Sequence, residues 1–439
     1  MSIRRGSFAL VAALCASVAA LTTPMTAAAA PKPPMTGFEE RSGASWTTHA
    51  EELGFLRAVD RLSARTKVAV IGASELGRPM HLVRIGHPRP PTAEAAGTKP
   101  VALFLCSQHC NEPAPREGCL QMLRTLAFTS DPAMLRLLKT WTVLFIPSAN
   151  PDGRAANTRE NANGVDVNRD HLNLASQEAR VIAKVLRDWR PDVAVDHHEF
   201  GPGIPVLYDD DLLYLWPRNL NVDAQVHALS KTLAIDYIGA GSQRAGYTAD
   251  EYGLYAVGDQ DVQQTAGDGD EGILRNTAGL RHTIGILVES KVDMRLSPDE
   301  VLSSSAVNVR RVASHRRTMI ETLRFMREQE ATVTAATDGA PVRKAREGLR
   351  RDAPVYFGGA DNDPPAPSEI VDPPPCEYRL SGASAKRVEP ALRLHGILFR
   401  REPGRVVVPM AQPAEPVIPL LLDARGARAS VAGTVVDRC

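Results

Sequence analysis

Apolar residues recur along this chain in two rhythms that sort most of it into alternating helices and strands. Between Glu51 and Leu62 the residues Leu53, Leu56, Val59 and Leu62 step by three, a helical stripe. Val68–Ile71 and Met80–Ile85 read as short strands joined by a turn at Gly77-Arg78-Pro79. Val101–Leu105 is apolar throughout, as in a strand buried on both faces. Pro113 then stands where a helix begins, and that helix continues through Cys119, Leu120, Leu123 and Leu126. Thr142–Ile146 is a second buried strand, ended by Pro147. Gln177–Trp189 carries Val181, Ile182, Val185, Leu186 and Trp189 on one helical face. Val193–Val195 and Thr283–Val288 are the third and fourth buried strands, and an Arg-rich helical pattern covers about residues 298–330. The alternation predicts an α/β fold, a mixed central sheet flanked by helices.

The two ends read differently. Arg4-Arg5, the apolar run Phe8–Leu21 and the small residues Ala27–Ala30 form a signal peptide over residues 1–30. An anchor helix is the alternative, but the run is short for a bilayer. The expectation is an exported protein, periplasmic or secreted, with no stable membrane insertion after cleavage. Beyond Thr332 the sequence turns Ala- and Gly-rich and then proline-rich, at Pro364-Pro365-Ala366-Pro367 and Pro373-Pro374-Pro375. Leu392–Phe399, Val406–Pro409 and Val417–Leu422 follow as apolar runs between turns. Residues 31–335 are therefore expected as one domain, and 336–439 as a Pro-rich linker with a small, mostly-β C-terminal domain.

Charge excludes some functions. The 439 residues carry 51 basic and 51 acidic side chains, and no basic tract is interleaved with aromatics, so neither nucleic acid nor an anionic membrane is indicated as a partner. Cys15 leaves with the signal. Five cysteines remain (Cys106, Cys110, Cys119, Cys376 and Cys439), so at least one is unpaired within the chain. Export permits a disulfide between Cys376 and Cys439.

Candidate chemistry gathers where strands end. His109 and Glu112 follow Val101–Leu105, Asn150-Pro151-Asp152-Gly153 follows Thr142–Ile146, His198 follows Val193–Val195, and Glu289 follows Thr283–Val288. Open α/β sheets bind ligands beyond the carboxyl ends of their strands. Two His and one Glu make a catalytic zinc site with a free position, so His109, Glu112 and His198 are read as ligands to one zinc per chain. Cys106 and Cys110 are the competing ligands, disfavoured because thiolate-rich sites are usually closed and structural. Glu289, at the end of an apolar strand, has a setting that raises a carboxyl pKa and suits a general base. His171, His315 and the other histidines are read as structural or exposed.

These motifs, with Arg159 and Gly164-Val165-Asp166-Val167-Asn168-Arg169, stand in an order that resembles the zinc carboxypeptidase family, the M14 metallopeptidases or funnelins, over about residues 45–330. The resemblance implies that family's fold and a zinc-dependent metallocarboxypeptidase, acting on peptides with a free C-terminal carboxylate. It implies that Arg159 stabilises the oxyanion, that Asn168 and Arg169 hold the substrate carboxylate, and that Asp166 orients that pair or a ligand His. Guanidinium groups suit both tasks. Its Asp-x-His pattern selects His198 over His197, and neighbours on a strand do point to opposite sides. The family's substrate-covering tyrosine has no clear counterpart; Tyr255 is the candidate. The stretch Arg275–Leu280 before the last strand either reaches the site or is a plain surface loop, and the loop is the preferred reading. Two other readings stay open: a zinc amidase or peptidase acting on murein peptides, and a non-catalytic binding module on the same fold.

Overall fold

The computed structural model describes residues 32–97, 99–201, 208–253, 255–257, 260–262, 269–294 and 304–438, the side chains of 255–262 excepted. The expected signal peptide, residues 1–30, lies outside them.

The strands are β1 (Thr66–Ala73), β2 (Pro79–Ile85), β3 (Val101–Cys106), β4 (Thr142–Ile146), β5 (Val193–Phe200), β6 (Leu212–Leu215), β7 (Ala249–Glu251), the hairpin β8 (Tyr255–Val257) and β9 (Gln260–Val262), and β10 (Ile284–Lys291). Eight of them form one mixed sheet in the order β1-β2-β4-β3-β5-β10-β6-β7. Its centre, β4-β3-β5-β10, is parallel. β1, β2 and β6 join antiparallel to their neighbours, and β7 lies parallel to β6.

The apolar central strands are buried on both faces because each face has its own core. Ala102, Phe104 and Cys106 point into one, with Val143, Phe145, Val193 and Val195. Val101, Leu103 and Leu105 alternate into the other, with Leu144, Ile146 and Ala194.

Helices α1 (His49–Leu62) and α2 (Ala114–Phe128) cover the first face. The short α3 (Pro151–Ala156) follows β4. α4 (Gln177–Trp189) covers the second face with the stripe expected of it, joined by α5 (Leu274–Leu280). α6 (Ser304–Glu328) and α7 (Glu330–Arg350) return to the first face. α1 begins with a capping box between Thr48 and Glu51, and Ser176 caps α4. Cys106 and Cys119 form a disulfide that ties the end of β3 to α2. Among the described residues no helix is long and apolar enough to cross a membrane.

Residues 33–439 pack as one unit. The boundary expected at 335 falls inside α7. The C-terminal part adds the pair β11 (Val355–Tyr356) and β12 (Ile370–Val371), then β13 (Glu377–Ser381), helix α8 (Gly382–Leu394), β14 (Arg400–Glu402), β15 (Arg405–Pro409) and β16 (Thr434–Val436). The last four strands form an antiparallel sheet, β14-β15-β13-β16. Two expected strands are corrected. Leu392–Phe399 is the end of α8 and a turn, and Val417–Leu422 is a helical turn with Pro419 in its first positions. Short apolar runs do not separate strand from buried helix, and a proline at a helix start favours the latter. Cys376 is disulfide-bonded; its expected partner, Cys439, lies outside the described residues.

Candidate metal centre

The turn after β3 carries the first two ligands. Ser107 has φ 62°, a left-handed conformation that reverses the chain as the strand ends. The turn is pinned from neighbouring loops: Asn150 Nδ2 donates to Gln108 O at 3.1 Å, and Cys110 N donates to Thr158 O at 3.1 Å. Asn150 also caps α3, accepting from Gly153 N at 2.9 Å. Thus Asn150-Pro151-Asp152-Gly153 shapes the site without entering it.

β5 delivers the third group, and β10 lies in register with it, so that Glu289 is the lateral neighbour of His198. Register partners in a sheet present their side chains to the same face. His197 points the other way, packs on Phe104 and places its Nδ1 3.2 Å from Nδ1 of His315. Burial pushes His197 down to about 3, as for a neutral core histidine.

His109, Glu112 and His198 converge, with one ligand atom from each within 4.8 Å of the others, and all three are buried. Nδ1 of His109 and Nδ1 of His198 lie 3.0 Å apart. The Glu112 carboxylate reaches both, with Oε1 2.9 Å from the first and Oε2 3.0 Å from the second. The outer ring nitrogens are held by carboxylates: His109 Nε2 lies 2.9 Å from Asp166 Oδ1, and His198 Nε2 lies 2.8 Å from Asp196 Oδ2. Each carboxylate favours the tautomer with its proton on Nε2. Two Nδ1 lone pairs and an anionic carboxylate then face one point, an arrangement that a cation at that point stabilises.

The surrounding electrostatics agree. Burial alone disfavours a charged His198, yet Asp196 and Glu112 outweigh it and raise its pKa well above the usual value. Burial opposes ionisation of Glu112, but His109 and His198 hold its carboxyl down at about 2. Asp166 is likewise held well below the usual range, burial being outweighed by His109 and Arg159.

A second layer fixes the ligands. Gln108 Nε2 donates to Asp196 Oδ2 at 2.7 Å, and His171 Nε2 lies 2.7 Å from Gln108 Oε1. Glu199 N donates to Glu112 Oε2 at 3.0 Å. The buried Glu199 carboxylate takes Arg311 Nε at 2.7 Å and Nη2 at 2.9 Å. Neither of the proposed thiolate ligands is available. Cys106 is in the disulfide, and Cys110 turns away to donate to Asn150 O at 2.8 Å. Burial pushes the Cys110 thiol up to about 12.

The other predicted residues surround this cluster. Arg159 brings Nη1 to 3.0 Å from His109 Nδ1 and is held by Asp166 through Nε at 3.0 Å. Glu289 is half-buried, and burial pushes its carboxyl up to about 7, with His198 lowering and Glu112 raising it. Asn168 is turned toward the metal-ligand cluster. Its Nδ2 lies 3.1 Å from Asp196 Oδ2 and 3.0 Å from His198 Nε2, and its Oδ1 accepts Leu274 N at 2.9 Å. The amide nitrogen donates to Asp196, which in turn holds His198, and the amide oxygen is taken up by Leu274 N. Arg169 is half-buried and donates Nη1 to Asn168 O at 2.9 Å. The side chain of Tyr255 lies outside the described residues. Tyr252 is the described tyrosine beside the cleft: its pKa is raised by burial first and by Glu289 next.

Sequence reasoning missed the groups behind Arg169. The stretch Arg275–Leu280 is no surface loop but part of α5, buried along its whole length. Arg275 is 1% exposed, and burial, with Arg169 and Arg218 adding to it, brings it down to about 10. From the C-terminal part Arg428 grips Asp270 with Nε and Nη2, each at 2.5 Å, and donates Nη1 to Arg169 O at 3.1 Å. His395 Nε2 donates to Leu172 O at 2.7 Å. Arg428 and Asp270 are 158 positions apart, so no local pattern signals the pair.

Comparison with known proteins follows the same outline. Residues 53–199 match the family model described as zinc carboxypeptidase. Carboxypeptidase 2 of Trichophyton tonsurans is 33% identical over 191 residues, 42% of this chain and 35% of that protein. Carboxypeptidase E of Caenorhabditis elegans is 28% identical over 218 residues, 46% of this chain and 41% of that one. The chain thus spans less than half the length of these relatives. Among solved structures, a metallo-carboxypeptidase from Burkholderia cenocepacia superposes with a TM-score of 0.48 at 20% identity, covering 63% of this chain and 70% of that one. One from Pseudomonas aeruginosa gives 0.49 at 17% identity, covering 65% and 69%. Residues 53–199, where the metal-ligand motifs lie, are thus similar to the zinc carboxypeptidase family.

Proposed function

We propose that the protein is a zinc-dependent metallocarboxypeptidase that removes the C-terminal residue of peptides. The observation that carries this reading is the convergence of two Nδ1 lone pairs and the Glu112 carboxylate on one point, with Glu289 on the adjacent strand. His109, Glu112 and His198 would hold the metal, which supplies Lewis acidity and makes water a nucleophile near neutral pH. Asp166 and Asp196 keep the two imidazoles in the ligating tautomer, and Asn168 and Gln108 hold Asp196 in place.

The remaining steps belong to the chain's own groups. The Glu289 carboxylate takes the proton of the attacking water and returns it to the leaving amine, a task its raised pKa suits. Arg159 presents donors to the negative charge developing on the scissile carbonyl oxygen. Arg169 offers its guanidinium to the terminal carboxylate of the peptide. Tyr252, half-buried and close enough to Glu289 to feel its charge, packs against the bound substrate; Tyr255 is the alternative for this role. The disulfide between Cys106 and Cys119 supports an oxidising compartment outside the cytoplasm, in line with export of the chain.

The test compares wild type with Glu289→Gln on peptides having a free or an amidated C-terminus. The reading expects release of the last residue from the free peptide alone, lost in the variant while metal content stays the same. Equal cleavage of the amidated peptide would exclude a carboxypeptidase.

A further inference from the structure

A cavity of about 600 Å³ opens beside the metal-ligand turn. Its walls come from residues 46–49 at the start of α1, from Cys110, Asn111 and Pro113 of the turn itself, from α3, and from Arg311 on α6. Three guanidinium groups line it, those of Arg116, Arg154 and Arg311.

Two of the three are neutralised. Arg154 is ion-paired with Glu52 and donates to Thr47 O at 2.8 Å. Arg311 forms its two-pronged pair with Glu199 and lies 5.1 Å over the Trp46 ring.

Arg116 differs. It is 4% exposed, and its Nη1 makes one long contact, 3.4 Å to Ser107 Oγ. Its Nε has no hydrogen-bond partner. No ion pair to Arg116 is found among the described residues. The adjacent Glu117 is engaged by Thr47, accepting from Thr47 N at 2.8 Å and from Thr47 Oγ1 at 2.9 Å, and forms no ion pair with Arg116. Glu117 and Glu199 act on Arg116 at longer range.

Burying a guanidinium without a close counter-ion is costly. Where such a group faces a cavity, an anion entering from outside relieves that cost. The planar fork of arginine matches a carboxylate. The rim also suits a peptide: Thr48, Asn111 and Asn157 are exposed there and can both donate and accept. Asn111 stands between the ligands His109 and Glu112 in sequence, and Asn157 two residues before Arg159, so the cavity shares the ligand-bearing turn and the loop that leads to Arg159.

We propose that this cavity is a carboxylate-binding site anchored by Arg116, separate from the one at Arg169. Its ligand is an acidic group, carried either by a side chain of the peptide substrate upstream of the cleaved bond or by a free small diacid. The substrate source rests on the peptidase reading; the site itself does not.

Succinate is the probe, titrated into the full chain at ionic strength matched with sodium chloride and followed by calorimetry. The expected result is saturable binding that survives Arg169→Ala and weakens at least tenfold in Arg116→Gln, with Arg116→Lys recovering part of it. Asn157→Asp adds a like charge at the exposed mouth and weakens binding without touching a buried group, so the test stands even if Arg116→Gln does not fold. No binding beyond the chloride control, or binding that disappears in Arg169→Ala and persists in Arg116→Gln or Asn157→Asp, overturns the proposal. A pair of peptides with Glu or Gln upstream then separates the sources. A severalfold lower KM for the Glu peptide, abolished in Arg116→Gln, assigns the carboxylate to the substrate. Equal KM values with Arg116-dependent succinate binding assign it to a free diacid. Because the succinate arm does not read hydrolysis, its result stands whether or not the peptidase reading does.

Discussion

The proposed metal-binding half of the cleft and the proposed substrate-gripping half are built in different ways. The first is nearly self-contained. His109, Glu112 and His198, with Gln108, Asp166 and Asp196 behind them, come from residues 108–198, within the segment that matches the family model. The second is assembled from distant parts: the turn at Arg169, helix α5 with Arg275, Asp270 before it, and Arg428 and His395 from the C-terminal part. The lesson is that metal chemistry can be carried by strand-end turns of one sheet. The proposed substrate side, in contrast, draws on residues beyond 199, outside the matched segment.

The contrast makes graded predictions. Glu289→Gln acts in the first half, and kcat/KM should fall about a thousandfold, the range expected for losing a general acid–base group. Bound metal, measured by elemental analysis, should not change. Asn168→Ala keeps every proposed ligand but frees Asp196 and His198. Metal affinity should drop roughly 10–100-fold, as for other partners of metal-ligating histidines, measured by competition with a chromophoric chelator. If it raised KM with metal affinity intact, Asn168 would belong to the substrate side after all.

Arg428→Ala sits in the second half. KM should rise about tenfold, the equivalent of roughly one charged hydrogen-bonded contact. The value of kcat and metal affinity should stay near wild type, and Arg428→Lys should recover part of the loss. A matching fall in metal affinity would erase the distinction between the halves.

The smallest expected effect on activity comes from Glu415 in the C-terminal part. It is 4% exposed, and burial pushes its carboxyl up to about 7, with Lys344 opposing. The folded state therefore holds this proton more tightly than the unfolded state does. Its contribution to stability falls as pH rises from about 4.5 towards 7. Glu415→Gln removes that slope: it should match wild type near pH 4 and be more stable by about 3 kcal/mol at pH 8. Thermal melting across that range measures it, and kcat at neutral pH should not move.

What could be read beforehand follows the same division. Apolar runs such as Val101–Leu105 and Val193–Val195 announce buried parallel strands, and polar residues directly after them announce a site, because the sheet brings strand ends together. Even the choice of His198 over His197 follows from strand alternation plus the motif. Arg275, Arg311 and Arg428 gave no such signal. Charged residues usually mark surface, and Arg311 and Arg428 are recruited inward by partners far away in sequence, as Arg311 is by Glu199 across 112 positions. Asn168 was assigned by motif to the substrate, whereas its partners, Asp196, His198 and Leu274 N, are set by tertiary packing. The helical turn at Ile418–Leu422 is too short for periodicity to settle.

The central claim is that His109, Glu112 and His198 hold one zinc on which hydrolysis depends. The direct measurement is a zinc titration of chelator-stripped protein, following release of the C-terminal residue of a peptide, for wild type and His198→Ala. Activity that is lost on stripping, returns in full at one equivalent of zinc and never returns in His198→Ala is the predicted result. Activity that survives stripping, or is restored equally well in His198→Ala, would contradict it.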